Sequence, residues 1–253
     1  MAGDPQAAPD LPVTHGQPDD PTQPLDGIAL CLSGGGYRAM LFHLGALWRL
    51  NELHYLPQLN RLSSVSGGSI VNGVLALNWS RLSFDGDDFA RNFDQHLTQP
   101  IRNMASHSID VSSIVAGVFS GVSKKVAEHY NQFLFHHAKL KDLPDAPRFV
   151  FNVTSLQTGV LWRFSKPYMG DYLVGLVRNP DLALATAVAA SSAFPPVLSP
   201  VVLSLDPPAS MTQSRRRRKS RPPSSARRLF SLTEGCTTTS GWRPPGNTTR
   251  RCW

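Results

Sequence analysis

"GIALCLSGGGYRAM", residues 27–40, decides how this chain begins to fold. Gly27–Ser33 is short and apolar, the pattern of a fully buried strand in a parallel sheet. Three consecutive glycines, Gly34 to Gly36, then leave the backbone bare. From Tyr37 to about Leu53 the residues Met40, Leu41, Leu44, Leu47, Trp48 and Leu50 recur at helical spacing. Arg38, His43, Arg49 and Glu52 interrupt them, which predicts a packed helix and not a membrane span. A strand that turns sharply into a helix leaves the first helical amides unpaired and aimed above the turn. With the helix dipole behind them, those amides favour negative charge, and glycine lets an anion reach them.

Two anions suit such a turn: a phosphate, or the oxyanion of a tetrahedral acyl intermediate. A phosphate-binding P-loop would end in Gly-Lys-Ser/Thr, and "SGGGYRA" has neither that lysine nor that hydroxyl. A dinucleotide fingerprint would need a third spaced glycine, where Ala39 stands.

The pattern then repeats. Arg61–Val65 reads as a second short strand, Ser66–Ser69 ("SGGS") as a tight turn, and "IVNGVLALNW" as an apolar helix. A parallel α/β opening follows. Ser66, with Gly68 two residues on, has the layout of a nucleophile elbow, which lifts a serine hydroxyl above the sheet edge. Ser64 stands two residues before it, where the strict pattern has glycine. The competing reading makes Ser66 a plain helix cap.

Farther on, Phe84–Met104 reads as helical with a break near Pro100, and residues 111–135 as a second helical region. The apolar stretch 111–122 suits a lid or membrane-contacting segment, or, more commonly, a buried core helix. "RFVFNVTSLQTG" and "VLWRFSKPYM" form two strands about a turn at Gly159. "DLALATAVAASSAF", residues 181–194, is a small-residue helix stopped by Pro195-Pro196, and "VLSPVVLSL" is extended.

The chain carries 25 Lys/Arg and 18 Asp/Glu. Residues 207–253 hold 11 of the basic groups against one acid, Glu234, a net of +10, and residues 1–206 hold 14 against 17, a net of −3. Basicity is therefore a property of the tail, which is rich in Pro, Ser and Arg and reads as disordered. Residues 1–26 have no basic start and no apolar core, which argues for a disordered lead and against a signal peptide. No apolar run reaches the length of a membrane span. A cytoplasmic or peripheral membrane location is expected. The three cysteines fit neither a metal site nor a disulfide set, and Cys31 reads as a small core residue.

"GIALCLSGGGYRAMLFHLGALWRL…RLSSVSGGSIVNG" resembles the patatin-like phospholipases, which carry a glycine-rich loop and an elbow serine in this order. "FNVTSLQTGVLWRFS" and "ATAVAASSAFPPVLSPV" resemble that family as well, so the likeness spans about residues 26–206. It implies a three-layer α/β sandwich with a mainly parallel sheet over residues 27–206. It also implies hydrolysis of lipid or phospholipid acyl esters, with no metal or cofactor. Ser66 would be the nucleophile, and the backbone of Gly34, Gly35 and Gly36, with Tyr37 and Arg38, would serve the oxyanion. The Arg38 side chain would orient the loop or steady a headgroup. Peripheral membrane contact would follow from such a substrate.

The family pairs its serine with an aspartate in Asp-Gly-Gly or Asp-Gly-Ala, and none follows Pro196 here. The fold is therefore expected to be incomplete on its C-terminal side and activity to be impaired. None of the eight histidines stands in a triad context, and His136-His137 reads as ordinary surface. Codons compatible with residues 231–253, read from their third base, can spell D-G-G-V-Y-D-N-L-G-L-E-A-A-W-E-H-Y-A-E-V-L. The tail then reads as out-of-frame translation beginning between Asp206 and Ala226. The rival is a nucleic-acid or nuclear-localisation patch at Arg215–Arg221, which lacks interleaved aromatics. Another rival, from a different class, is a non-catalytic module binding phosphate or anionic lipid at Gly34–Gly36.

Overall fold

The computed structural model describes residues 27–106, 122–194, 201–205, 211–212 and 228–233. It opens with two strand–turn–helix units: β1 (Ile28–Leu32), α1 (Gly36–Glu52), β2 (Leu59–Ser64) and α2 (Gly67–Asn78). β1 pairs with β2, and β2 with β3 (Arg148–Ser155), all parallel. Hairpins then extend the sheet antiparallel through β4 (Leu161–Phe164), β5 (Tyr168–Asp171) and β6 (Gly175–Arg178). The parallel part is therefore β1–β3, and both glycine turns leave from its C-terminal edge. The α/β class expected from the sequence is the observed one, but the sheet is mixed where a mainly parallel one was expected, because hairpins follow β3 in place of further crossovers.

Register explains the core. Leu62 faces Phe149, and the row Ser64–Phe151–Phe164 lies one step along, on the same side of the sheet. Phe151, Phe164 and Trp162 are fully buried there, against Val71, Val74 and Leu75 of α2 and Val188 of α5 (Leu184–Ser192). Gly73 lets this happen, because a Cβ there would come within 2.9 Å of the Phe135 ring.

Three details differ from the sequence reading. Among the described residues β1 is an edge strand, and its two faces differ: Leu32 is 3% exposed, whereas Cys31, on the opposite face, is exposed instead of buried. A short apolar run looks the same whether one of its faces is covered or both. Second, the segment from Phe84 begins as an extended bridge to Ala90 rather than as helix, and a π-helical turn at Asp94–Thr98 leads into α3 (Gln99–Ser106). Pro100 does not break the helical run: it follows directly on the π-helical turn, where Gln99 N–H reaches back to the Asp94 carbonyl and the backbone stays helical.

Third, two pieces of the segment read as a disordered tail are strands. β7 (Val201–Leu205) pairs with β9 (Arg228–Thr233), which also pairs with β3 at Thr154 and Ser155. β8 (Met211–Thr212) adds to β6. The expected apolar segment 111–122 falls almost wholly outside the described residues, as do Pro195-Pro196, the arginine run and residues 1–26. α4 (Val122–Tyr130) continues into a second π-helical turn, Asn131–Phe135. Among the described residues no helix is long and apolar enough to cross a membrane.

The exposed face of β1 has a chemical test. Native protein treated briefly with maleimide should carry the label at Cys31, read by peptide mass mapping. Protection of Cys31 until urea is added would contradict that exposure.

Candidate functional site

Ser66 has φ 55° and ψ −125°, a backbone conformation that costs a non-glycine residue on the order of 1–3 kcal/mol. Neighbouring hydrogen bonds hold it there. Its N–H donates to the Ser191 carbonyl at 3.1 Å and to Ser191 Oγ at 3.0 Å, and its own carbonyl accepts the Ser69 N–H at 2.8 Å. Val65 N–H reaches the Leu32 carbonyl at 3.1 Å, and Gly68 N–H reaches the Ser33 carbonyl at 3.2 Å. The Ser66 side chain makes no cap on α2, so the helix-cap reading is not realised. Ser66 is only 4% exposed, and among the described residues nothing hydrogen-bonds its Oγ.

The two glycine turns touch, backbone against backbone. A Cβ on Gly67 would collide with the Gly36 carbonyl, and one on Gly68 would lie 2.7 Å from the carbonyl oxygens of Leu32 and Ser33. Gly35 and Gly36 take φ of 138° and 61°, in the left-handed region that favours glycine. Gly35 is the N-cap of α1 and supplies no side-chain hydrogen bond, so the leading amides of α1 keep their capacity for an anion. Gly34, Gly35, Gly36 and Ser66 are thus brought together. Arg38 is exposed on the first turn of α1, with no ion pair among the described residues. Burial pushes the Tyr37 phenol up to about 12, so it stays protonated beside the turn.

Ser64 replaces the pattern's glycine without harm, because its side chain points into the protein. It is 2% exposed and begins a chain of hydroxyls under the elbow. Ser191 Oγ donates to the Asn152 carbonyl at 2.8 Å, so Ser69 must donate to Ser191, 2.8 Å away. Ser64, 3.0 Å from Ser69, then directs its proton to Ser69 or to the Val150 carbonyl, while accepting from Asn72 Nδ2 at 2.9 Å. Ser64 and Ser191 each give one proton and take another, and Ser69 gives its own to Ser191, an arrangement in which neighbouring bonds strengthen one another.

Two residues of this site escaped the sequence reading: Ser191 and His43. His43 is 6% exposed, on the buried stripe of α1 with Met40, Leu44 and Leu47. Its Nε2 lies 3.0 Å from the Ser33 carbonyl and 3.2 Å from Ser33 Oγ. The carbonyl can only accept, so Nε2 carries the proton and cannot serve Ser33 as a base. The i, i+3, i+4 spacing from Met40 was the available signal. His136 and His137 are exposed and end a helical segment, with Asn131 accepting the His137 N–H at 2.6 Å. Among the described residues no group of three His, Cys, Asp or Glu is placed to hold a metal.

The fold is an α/β one, a mixed sheet whose parallel edge carries Ser66 on a tight turn packed against a glycine-rich turn. The model of the patatin-like phospholipase family matches residues 30–211, and the chain belongs to that family, one of lipid hydrolases. Among solved structures, the chain is similar to human GIVD cytosolic phospholipase A2 in complex with methyl gamma-linolenyl fluorophosphonate (18% identity, TM-score 0.41). That match covers 66% of this chain and 30% of the other. VipD from Legionella pneumophila is matched at 16% identity and TM-score 0.39, over 83% of this chain and 46% of VipD. The chain therefore spans less than half the length of these structures. No curated protein matches it.

Two measurements check the geometry. Gly67→Ala should lower the unfolding free energy by about 1–3 kcal/mol, the usual cost of overpacking, measured by urea denaturation. Burial, more than the opposing Ser33 hydrogen bond, holds the His43 pKa below its ordinary value. Folded protein then binds fewer protons there than unfolded protein does. The stability this contributes is complete above the ordinary histidine range, about pH 6.5, and is lost as pH falls through the folded value. The urea midpoint of the native protein should accordingly fall more between pH 7 and pH 5 than that of His43→Gln.

Proposed function

We propose that this chain carries the machinery of a lipid acyl-ester hydrolase, with Ser66 as nucleophile and the Gly34–Gly36 turn as oxyanion site. The observation that carries the reading is the strained backbone of Ser66, held at a strand–helix turn whose glycines pack on Gly36 and on the carbonyls of Leu32 and Ser33. Strain of this kind persists where surrounding structure enforces it, and it clusters at active sites.

In the first step Ser66 Oγ would attack the acyl carbonyl carbon while a base takes its proton. The carbonyl oxygen becomes an oxyanion facing the leading amides of α1, where fixed donors are worth most. Collapse expels the alcohol portion of the lipid, which takes a proton, and water then releases the fatty acid by the same route in reverse. Ser64 and Gly68 shape the turn. Arg38, exposed one residue beyond Tyr37, suits a headgroup phosphate better than the acyl carbon.

The base in this family is an aspartate, and the chain has no Asp-Gly-Gly or Asp-Gly-Ala after Pro196. An unassisted serine hydroxyl is a weak nucleophile at neutral pH. The domain at residues 27–206 is therefore read as an impaired enzyme, and residues 207–253 as largely out-of-frame sequence. The basic run within them is assigned no nucleic-acid partner. A p-nitrophenyl ester assay should show little or no turnover. A burst followed by turnover that Ser66→Ala abolishes would overturn the impairment while supporting the nucleophile.

The uncapped N-terminus of α1 favours one second reading: a non-catalytic module that binds phosphate or anionic lipid. Retention on anionic vesicles that survives Ser66→Ala, without labelling by a fluorophosphonate, would select it.

A further inference from the structure

The proposed chemistry needs the amides at Gly34–Gly36 held still relative to Ser66, yet glycines contribute no side chain to hold them. The residue just before them, Ser33, is where the structure supplies that restraint. Its carbonyl accepts two hydrogen bonds from different elements: Gly68 N–H of the elbow at 3.2 Å, an N–H shared with the Val65 carbonyl at 3.1 Å, and His43 Nε2 of α1 at 3.0 Å. One oxygen thus joins the end of β1, the second turn of α1 and the start of α2. His43 is buried on the core side of α1, and its ring meets the exposed Phe42 ring edge-on with centroids 5.4 Å apart.

We infer that His43 is a positioning residue for the oxyanion turn: by donating Nε2–H to the Ser33 carbonyl, it fixes the entry to Gly34–Gly36 and the register of that turn against the elbow. This rests on the reading of the turn as an oxyanion site, although the restraint itself is independent of catalysis. His43 transfers no proton in this role. Nε2 is committed to the carbonyl, and Ser33 Oγ, 3.2 Å away, gains only a weak contact from the same nitrogen. Glutamine carries an amide nitrogen the same number of bonds from Cα, so it can replace the donor. Asparagine is one bond too short and leucine has none.

The test is amide hydrogen exchange by NMR on the full chain, in the native protein and in His43→Gln, His43→Asn and His43→Leu. The amides to follow are Gly68 and Val65, which bond to Ser33 and Leu32, with Leu62 and Val188 in the core as references. Loss of one hydrogen bond should speed exchange at Gly68 and Val65 by about five- to tenfold in the Leu and Asn variants. The references should stay within about twofold, and Gln should restore the native rates. A uniform rise at all four amides, or no rise at Gly68, would overturn the assignment, as would failure of Gln to rescue. If Leu does not fold, the Asn and Gln pair carries the same comparison. Fluorophosphonate labelling of Ser66 in the same samples is scored separately. Exchange as expected supports the restraint whether or not Ser66 is labelled, since a serine without its base reacts weakly. Label that falls in Leu and Asn and returns in Gln supports both.

Discussion

The close approach of two bare backbone segments governs everything else in this domain. Gly67 lies on the Gly36 carbonyl, and Gly68 lies on the carbonyls of Leu32 and Ser33, at distances no side chain tolerates. Adjacent parallel strands allow this contact, because β1 and β2 end at the same edge and send their helices off from it together. A methyl group at either α2 glycine would drive the turns apart.

Support for that contact comes from beneath, through polar groups in an otherwise apolar core. Ser64, Ser69 and Ser191 are all buried, and every hydroxyl among them has a hydrogen-bond partner. Buried hydroxyls without partners would cost about 1–3 kcal/mol each, so a chain with all members satisfied favours one arrangement over its neighbours. α5 contributes through the small residues of its sequence. Alanines bring it close to the sheet, which allows a serine on its last turn to reach the elbow amide 125 residues away in sequence.

Much of this was legible in the chain itself. The glycine triplet, the elbow serine and the small-residue helix stood out because each breaks a hydrophobic period at a definite place. Their spacing gave the α/β class and put Ser66 beside Gly34–Gly36. The supporting residues were not legible, since Ser191 and His43 act on backbone groups that no residue pattern reveals. Cys31 was misjudged because local hydropathy does not say which face of a strand the rest of the chain covers. β9 was missed because pairing with β3 and β7 overrides a composition that favours disorder on its own.

β9 also shows that the sheet extends beyond the sequence boundary of the family match. That match ends at residue 211, whereas β7 reaches the main sheet only through Arg228–Thr233 among the described residues. A chain trimmed at the family limit would strand β7, leaving a row of peptide N–H and C=O groups without partners at the margin of the fold. Such an edge is adhesive. The boundary at which similarity fades is thus a poor guide to where this protein can be shortened, and the six residues past the arginine run act as a clasp for an entire corner of the sheet.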